Sequence, residues 1–382
     1  MEAPRTYRKG DSLQSLVRDE PPNPVVERLT ELRKTVDNLP SDAYTRTILE
    51  RALSDLLDVE QRMPSTFWLR PHVLGEIERL DDSQLGLYLF HRYRYDVFPV
   101  TKELDDFPPC VQIEPTSICN LRCVFCFQTD PLLTKPKEGH QGQMPLDRFK
   151  QIVDQIEGHV QFVTLASRGE PLLAKNIESM LSYLKGKFLG LKINTNATFL
   201  SDDKARAILD AYPNTVVFSA DAADAATYAQ LRVNGNFEKV MANIQRFMEI
   251  RDTEFPESKV ITRVSGVAFD SDRQDHDEIQ GFWRDFVDQV AFVDYNPWEN
   301  AYEQETNNIQ EACSDLWRRT FIWWDGRSNP CDVDYRSFLS PGNIDETSIA
   351  ELWRGPGYSH LRHQHLSLQR QGLTPCRGCV SV

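Results

Sequence analysis

Three cysteines, Cys119, Cys123 and Cys126, stand within eight positions in the stretch ICNLRCVFCFQ. Thiolates this close together suit one soft metal centre. A structural zinc site is normally closed by four ligands, and no histidine or further cysteine near the triplet, His140 and His159 included, has the spacing to supply the fourth. A [4Fe–4S] cluster is also usually held by four cysteines. With three, one iron is left open to bind a substrate or cofactor directly. From the triplet alone, a zinc site or a chance grouping remains the bland alternative.

Four more cysteines, Cys313, Cys331, Cys376 and Cys379, fall in the last 70 residues. Cys376-x-x-Cys379 is a common zinc knuckle, so zinc and iron–sulfur readings stand level for this group in isolation. Asp325-Gly326 lies between the first two and reads as a hairpin turn returning Cys331 towards Cys313. Cys110 is left over; it lies in an apolar run and reads as a small buried hydrophobe.

The elements that must position these thiols are legible as patterns. From Pro108, short apolar runs alternate with amphipathic stretches: CVQIEP, RFKQIVDQI, VQFVTLAS, IESMLSYLKG, LKINTN, DDKARAILDAY, TVVFSA, NFEKVMANIQRFMEI, VITRVSGVAF, HDEIQGFWRDF and QVAFVDY. Six strand–helix repeats predict a parallel sheet with right-handed crossovers. The triplet follows the first strand, at the carboxyl end where α/β proteins place their chemistry. Residues 1–105 read as a mostly helical N-terminal region, with 1–20 polar and loose. Helical spacing runs through VVERLTELRKTV, YTRTILERALSDLLDVEQ (N-capped from SDAYTR), PHVLGEIERL and QLGLYLFHRYRY. Within the last, the basic aromatic run HRYRY (91–95) can bind an anion or simply form a packed helix face. After Asn296 the alternation stops. SDLWRR and SIAELW read as short helices and FIWWDGRSNPC as a hairpin, in a small metal-stapled domain.

The chain of 382 residues carries a net charge of −14, which disfavours nonspecific nucleic-acid binding. It has no apolar run of membrane-spanning length and no apolar leader after its first residues. A reducing cytoplasm is the expected location, and there clustered cysteines mean metal or catalysis more often than disulfides.

With Phe125 before its last cysteine, the C-x3-C-x2-C pattern resembles the radical S-adenosylmethionine (SAM) superfamily. Further motifs follow in order. SRGEP (167–171) resembles that family's Gly-Gly-Glu-Pro, with Arg168 in place of the first glycine. NTNAT (194–198) resembles Asn-Thr-Asn-Gly-Thr, with Ala197 in place of glycine. SADA (219–222), followed by the Arg of LRVNGNFEKV, resembles its Ser-x-Asp motif. The resemblance spans about residues 108–295. It implies a cluster on Cys119, Cys123 and Cys126 whose open iron chelates SAM. It also implies SAM contacts from Phe125, Gly169, Glu170, Asn196, Ser219 and Arg232. Bland readings stand beside these: Asn196 as a turn cap, Phe125 as core packing, Asp221 as structural. Cleavage of SAM in this family yields a 5′-deoxyadenosyl radical that takes a hydrogen atom from substrate, with a flavodoxin or ferredoxin-type reductant.

The spacing Cys313-x12-Gly326-x4-Cys331, then Cys376-x2-Cys379, resembles the SPASM/twitch domains of this superfamily, in particular 2-deoxy-scyllo-inosamine dehydrogenase-like enzymes. Four ligands imply the shorter twitch form with one auxiliary [4Fe–4S] cluster. The expected architecture is therefore α/β: a helical region (1–105), a partial (β/α)6 barrel (106–296) and a twitch-like domain (297–382). The expected function is a radical SAM oxidoreductase acting on a small polar molecule (a sugar, cyclitol or nucleotide-linked sugar), the auxiliary cluster taking the second electron. The alternative is a peptide maturase forming a crosslink or epimer; a cluster-bearing scaffold without activity is the non-enzymatic reading. No catalytic base is assigned. Arg168, Asp294, Tyr295 and Glu299 are candidates near strand ends, with a loop cap the plainer reading of Asp294-Tyr295.

Overall fold

The computed structural model describes residues 6–8, 23–58, 63–135 and 139–382. Among these, no helix is long and apolar enough to cross a membrane. Most of the expected loose segment 1–20 lies outside the described residues; where it is described, Tyr7 bridges Ser381 and bonds the backbone of Val380 and Val382.

Six strands build the predicted parallel series: β1 (Cys110–Ile113), β3 (Phe162–Leu165), β4 (Gly190–Thr195), β5 (Thr215–Ser219), β7 (Ile261–Ala268) and β8 (Gln289–Asp294), with β2 (Arg122–Cys123) and β6 (Arg232–Val233) forming a separate two-stranded ribbon. Three later strands, β9 (Arg319–Ile322), β10 (Arg327–Asn329) and β11 (Gly342–Asn343), extend the main sheet. Its order is β11-β10-β9-β1-β3-β4-β5-β7-β8. β9 runs parallel to β1, and β10 and β11 follow antiparallel. The C-terminal hairpin is thus hydrogen-bonded into the same sheet as the strand that leads to the cysteine triplet.

Strand side chains alternate with a period of two. Val111, Ile113, Val163, Leu165, Leu191, Ile193, Val216 and Phe218 point outward, fully or nearly fully buried against the crossover helices. Those helices present the apolar stripes their sequences carry; Phe149, Ile152, Val153 and Ile156 of Leu146–Ile156 are all fully buried. The alternate set, including Gln112, Thr164, Lys192, Asn194 and Arg263, faces a lumen.

Five helices precede the sheet: α1 (Asn23–Thr35), α2 (Ala43–Leu57), α3 (Pro71–Arg79), α4 (Asp82–Asp96) and α5 (Phe98–Thr101). They share their own apolar core, with Leu29, Leu49, Leu53, Ile77, Tyr88 and Leu89 nearly fully buried. Asp42 caps α2, accepting from Thr45 N at 2.6 Å. α4 runs almost entirely buried from Leu89 to Arg94. HRYRY is therefore a packed face, yet three of its members, His91, Arg92 and Tyr95, also line the lumen. The helix Pro356–Leu366 was not expected; its apolar spacing is weak, and it is fixed by packing of Tyr358 and Leu361 on Trp353 and Trp317.

Candidate functional site

The cysteine triplet is held by two partners distant in sequence. The ribbon pairs Cys123 with Arg232 and Arg122 with Val233. At the other end, Gln128 donates its amide to the carbonyls of Ser117 and Arg168 at 2.9 and 2.5 Å. Gly169 lies directly against residues 116–118. A Cβ there would fall 2.2 Å from the Thr116 carbonyl oxygen and 2.6 Å from the Ser117 carbonyl carbon. Only glycine permits that approach.

Glu170 ties the loop to the next strand end. Its carboxylate accepts from Thr195 Oγ1 (2.7 Å), Leu172 N (3.0 Å) and Asn196 N (2.7 Å). Burial pushes this carboxyl above its ordinary range, opposed by those same three donors. Asn196 in turn donates Nδ2 to Asn120 Oδ1 at 3.0 Å and stands 3.9 Å from Cys119 Sγ, while its side-chain Oδ1 accepts from Thr198 N at 3.0 Å. The turn-cap reading of Asn196 is therefore correct, alongside its place beside the triplet. Ala197 adopts φ 59°, the left-handed region, at the position where the resembled motif has glycine.

Arg232 lies with its Nη1 3.7 Å from Cys123 Sγ and its Nε 2.5 Å from Asp221 Oδ2, both side chains buried. Asp221 also accepts from Val267 N at 2.7 Å. Asp221, read as structural, is the buried counterion of Arg232. Ser219 ends β5, half-buried. The Phe125 carbonyl accepts from Trp298 Nε1 at 2.8 Å, and its ring stacks obliquely on Phe269.

Arg168 is not free to act as a base. Its Nε and Nη2 bind Glu114 at 2.8 and 2.6 Å, its Nη1 donates to the Tyr335 carbonyl, and its guanidinium covers Trp323 at 4.4 Å. Both members of this pair are fully buried. It clasps β1, the turn after β3 and the C-terminal region together, which accounts for an arginine at a glycine position. Tyr295 donates to Glu299, and Asp294 is exposed at the end of β8.

The four distal cysteines also converge. Burial pushes both Cys331 and Cys376 up; Asp334 comes next for Cys331, followed by the thiols of Cys376 and Cys313, and for Cys376 the thiols of Cys379 and Cys313 come next. Cys313 is pushed to about 11 by burial, with Asp315 and Cys379 next. Gly326, at φ 85°, makes the expected turn between β9 and β10. Arg370, missed on sequence, is buried and donates to the carbonyls of Glu311, Cys376, Cys379 and Ser381. Between the two cysteine groups lies an aromatic cluster of Phe127, Trp298, Tyr302 and Tyr335, against which Cys126, Cys331 and Cys379 all pack.

All eight cysteines are free thiols. Among the described residues no three Cys, His, Asp or Glu side chains close on a single ion; a cluster, several atoms wide, spaces its thiolates farther apart than one ion does. The surroundings fit a cluster. Burial pushes Cys119 up to about 12, with Glu170 next, and Cys126 higher still, with Cys123 next. Buried thiols that repel one another in ionised form need a shared cation, which cluster iron supplies. N–H groups already face the sulfurs: Leu121 N at 3.4 Å from Cys119, Gln128 N at 3.5 Å from Cys126 and Ser381 N at 3.4 Å from Cys379. Such donors stabilise sulfur-ligated clusters and tune them.

Residues 113–261 match the model of the radical SAM superfamily, and residues 313–380 that of an iron–sulfur cluster-binding domain, SPASM. The chain is 30% identical over 217 residues to the GTP 3′,8-cyclase of Listeria monocytogenes serotype 4b (strain CLIP80459), covering 54% of this chain and 61% of that protein. It therefore spans about three-fifths of that relative's length. BtrN, solved in complex with AdoMet and 2-DOIA, superposes with a TM-score of 0.50 at 17% identity over 73% of this chain and 95% of its own. Streptococcus suis SuiB, solved with precursor peptide SuiA, gives 0.54 at 16% over 87% and 79%. At these identities the structural likeness is one of fold. The two domains imply a SAM-binding [4Fe–4S] cluster, SAM itself and auxiliary cluster binding.

Proposed function

Because the chain carries a radical SAM domain followed by an iron–sulfur cluster-binding domain, we propose that it is a radical oxidoreductase that removes hydrogen from a small polar substrate held in the lumen. When bound, SAM and the two clusters supply one-electron cleavage of the sulfonium, hydrogen-atom abstraction and an acceptor for the second electron. Cys119, Cys123 and Cys126 would hold the first cluster, and Cys313, Cys331, Cys376 and Cys379 the auxiliary one. Phe125, Gly169, Glu170, Asn196, Ser219 and Arg232 form the SAM side of the site in this reading. Glu170 orders the Asn196 turn, Gly169 lets the chain approach closely, and Arg232 sets a cation beside Cys123.

One observation carries the choice of oxidation at a small molecule. A single cavity of about 410 Å³ is lined at once by Cys126 of the triplet and by Asp332, the neighbour of Cys331. That volume suits a metabolite-sized ligand. A substrate there lies between the two cysteine groups, with the aromatic cluster keeping water from the space that separates them.

The second reading, a peptide maturase, draws on the fold shared with SuiB. Against it, the described residues from 23 to 109 hold no strand, so they form no winged-helix hairpin of the kind such enzymes use to seize a peptide. The test is anaerobic reconstitution of the full chain with iron, sulfide and dithionite. Formation of 5′-deoxyadenosine, with deuterium arriving from labelled sugars or cyclitols, supports the proposal. Deuterium arriving only from peptides favours the maturase, and absence of SAM cleavage sinks both.

A further inference from the structure

The lumen has two chemically distinct ends. Near the triplet its lining is uncharged: Phe127, Ala166, Ser167 and Asn194. Ser167 Oγ and Asn194 Oδ1 are buried there without hydrogen-bond partners. The deep end, where α3 and α4 meet the sheet, is cationic. Arg70 precedes α3 and Arg92 comes from α4, while Lys192, Arg263 and Arg319 come from β4, β7 and β9. These five cations face three carboxylates, Glu76, Asp96 and Asp332. The two histidines of the wall, His72 and His91, are held neutral, chiefly by burial.

Part of this charge is compensated. Arg92 binds Asp96 at 2.7 Å, and Arg319 lies 3.5 Å from Asp315. Lys192 and Arg263 have no carboxylate at ion-pair distance among the described residues. Arg263, 4% exposed, donates Nε and Nη2 to the amide oxygen of Gln289 at 2.9 and 2.6 Å. Lys192 Nζ makes no hydrogen bond among the described residues. A cation taken out of water without a partner is costly, and two sharing one cavity cost more. Nothing in the packing of the sheet requires them, since the outward faces of β4 and β7 already carry the core.

We propose that the deep end of the lumen is an oxyanion subsite: Lys192 and Arg263, flanked by Arg92 and Arg319, take a phosphoryl group of the substrate, while Asn194 and Ser167 take its hydroxyl groups nearer the triplet. This rests on the reading of the lumen as the substrate site. Lys192 and Arg263, two cations of one cavity with no carboxylate at ion-pair distance among the described residues, match a phosphoryl dianion better than a single carboxylate. Arginine forks bind phosphate in two-point fashion. Lys192 and Asn194 share one face of β4 two residues apart, roughly 6.6 Å along the strand, so anion and hydroxyl contacts succeed one another up the same wall. The substrate class is then a phosphorylated or diphosphate-linked polyol or sugar.

The experiment is titration calorimetry on the full, cluster-loaded chain with inorganic phosphate, pyrophosphate and acetate. Phosphate or pyrophosphate should bind at least tenfold more tightly than acetate; whichever binds more tightly tells a monoester from a diphosphate substrate. Lys192→Met and Arg263→Gln should each weaken that binding tenfold or more. Lys192→Arg should keep it within a few-fold, and so should Lys34→Met on exposed α1. Lys192→Arg also covers the case in which the neutral variants fail to fold, because retained binding then shows that charge at the site is what counts. No phosphate binding, equal acetate binding, or loss in Lys192→Arg equal to that in Lys192→Met overturns the subsite. SAM cleavage by the wild-type chain is measured alongside. Its failure with phosphate binding intact sinks the radical reading and leaves the subsite, whereas the reverse result does the opposite.

Discussion

Cys123 and Arg232, 109 positions apart, are register partners in a two-residue antiparallel ribbon, and the Arg232 guanidinium stands 3.7 Å from the Cys123 sulfur. The backbone pairing places the charge; Asp221, 2.5 Å from Nε, balances it. Arg232→Met would leave Asp221 buried and unpaired, a loss of about 3–5 kcal/mol. Melting temperature should fall accordingly, and the ultraviolet–visible response of the reconstituted cluster to SAM should weaken. Asp221→Asn with Arg232 retained should also destabilise. Wild-type melting in Arg232→Met would show that the pair is not the lock described.

Glu170→Gln tests the joint between the loop and β4. A glutamine oxygen can serve Thr195 and Leu172, but its amide then points N–H at Asn196 N–H, where the carboxylate now accepts at 2.7 Å. The lost acceptor costs about 1–3 kcal/mol. SAM affinity, read by calorimetry on the loaded protein, should fall tenfold or more. Unchanged affinity would detach Glu170 from the SAM side.

Two glycines should answer the same substitution with opposite signs. Gly169→Ala drives a methyl into the backbone of Thr116 and Ser117, which no rotamer can relieve, and should destabilise by about 1–3 kcal/mol or abolish folding. Gly281 is exposed inside the helix His276–Arg284, with nothing within 4 Å of an added methyl. Gly281→Ala should stabilise by about 0.5–1 kcal/mol. Chemical denaturation of both variants decides the matter.

Cys331→Ala should halve the iron of reconstituted protein, from about eight to about four atoms per chain. In that variant SAM cleavage should persist while substrate oxidation is lost. Retention of all the iron would show that Cys331 is not a ligand.

Lys192 sets a pH signature. Burial lowers it from its ordinary value of 10.5 to about 8, with Arg263 and Arg319 next, opposed by Glu76 and Cys110. Below about 8 both folded and unfolded chains carry the proton, and the folded one bears the full cost of the charge. As pH rises from about 8 to 10.5 the folded chain sheds it first, and that cost is relieved. Lys192→Met, without phosphate, should therefore melt higher than wild type at pH 7, by roughly 2–4 °C for each kcal/mol relieved. The gap should close towards pH 10.5. A variant that melts lower throughout would show the charge to be structural.

By itself the sequence determined the order of strands and helices and the residues that carry the chemistry. Those signals are local: period-two and helical spacing, C-x3-C-x2-C, and a glycine at a turn. Tertiary structure alone decided what those residues meet. Arg168 looked like a candidate at a strand end, yet Glu114 claims it from the neighbouring strand. HRYRY offered an anion site or a packed face; burial of α4 against the sheet makes it a packed face and at the same time turns Arg92 to the lumen. Lys192, Arg263 and Arg319 are spread over 128 positions; only sheet order and register put them on one wall, because hydrogen-bonded pairing between strands has no local imprint in sequence. For the same reason β9 joined β1 unannounced, binding the distal cysteines to the sheet that carries the triplet.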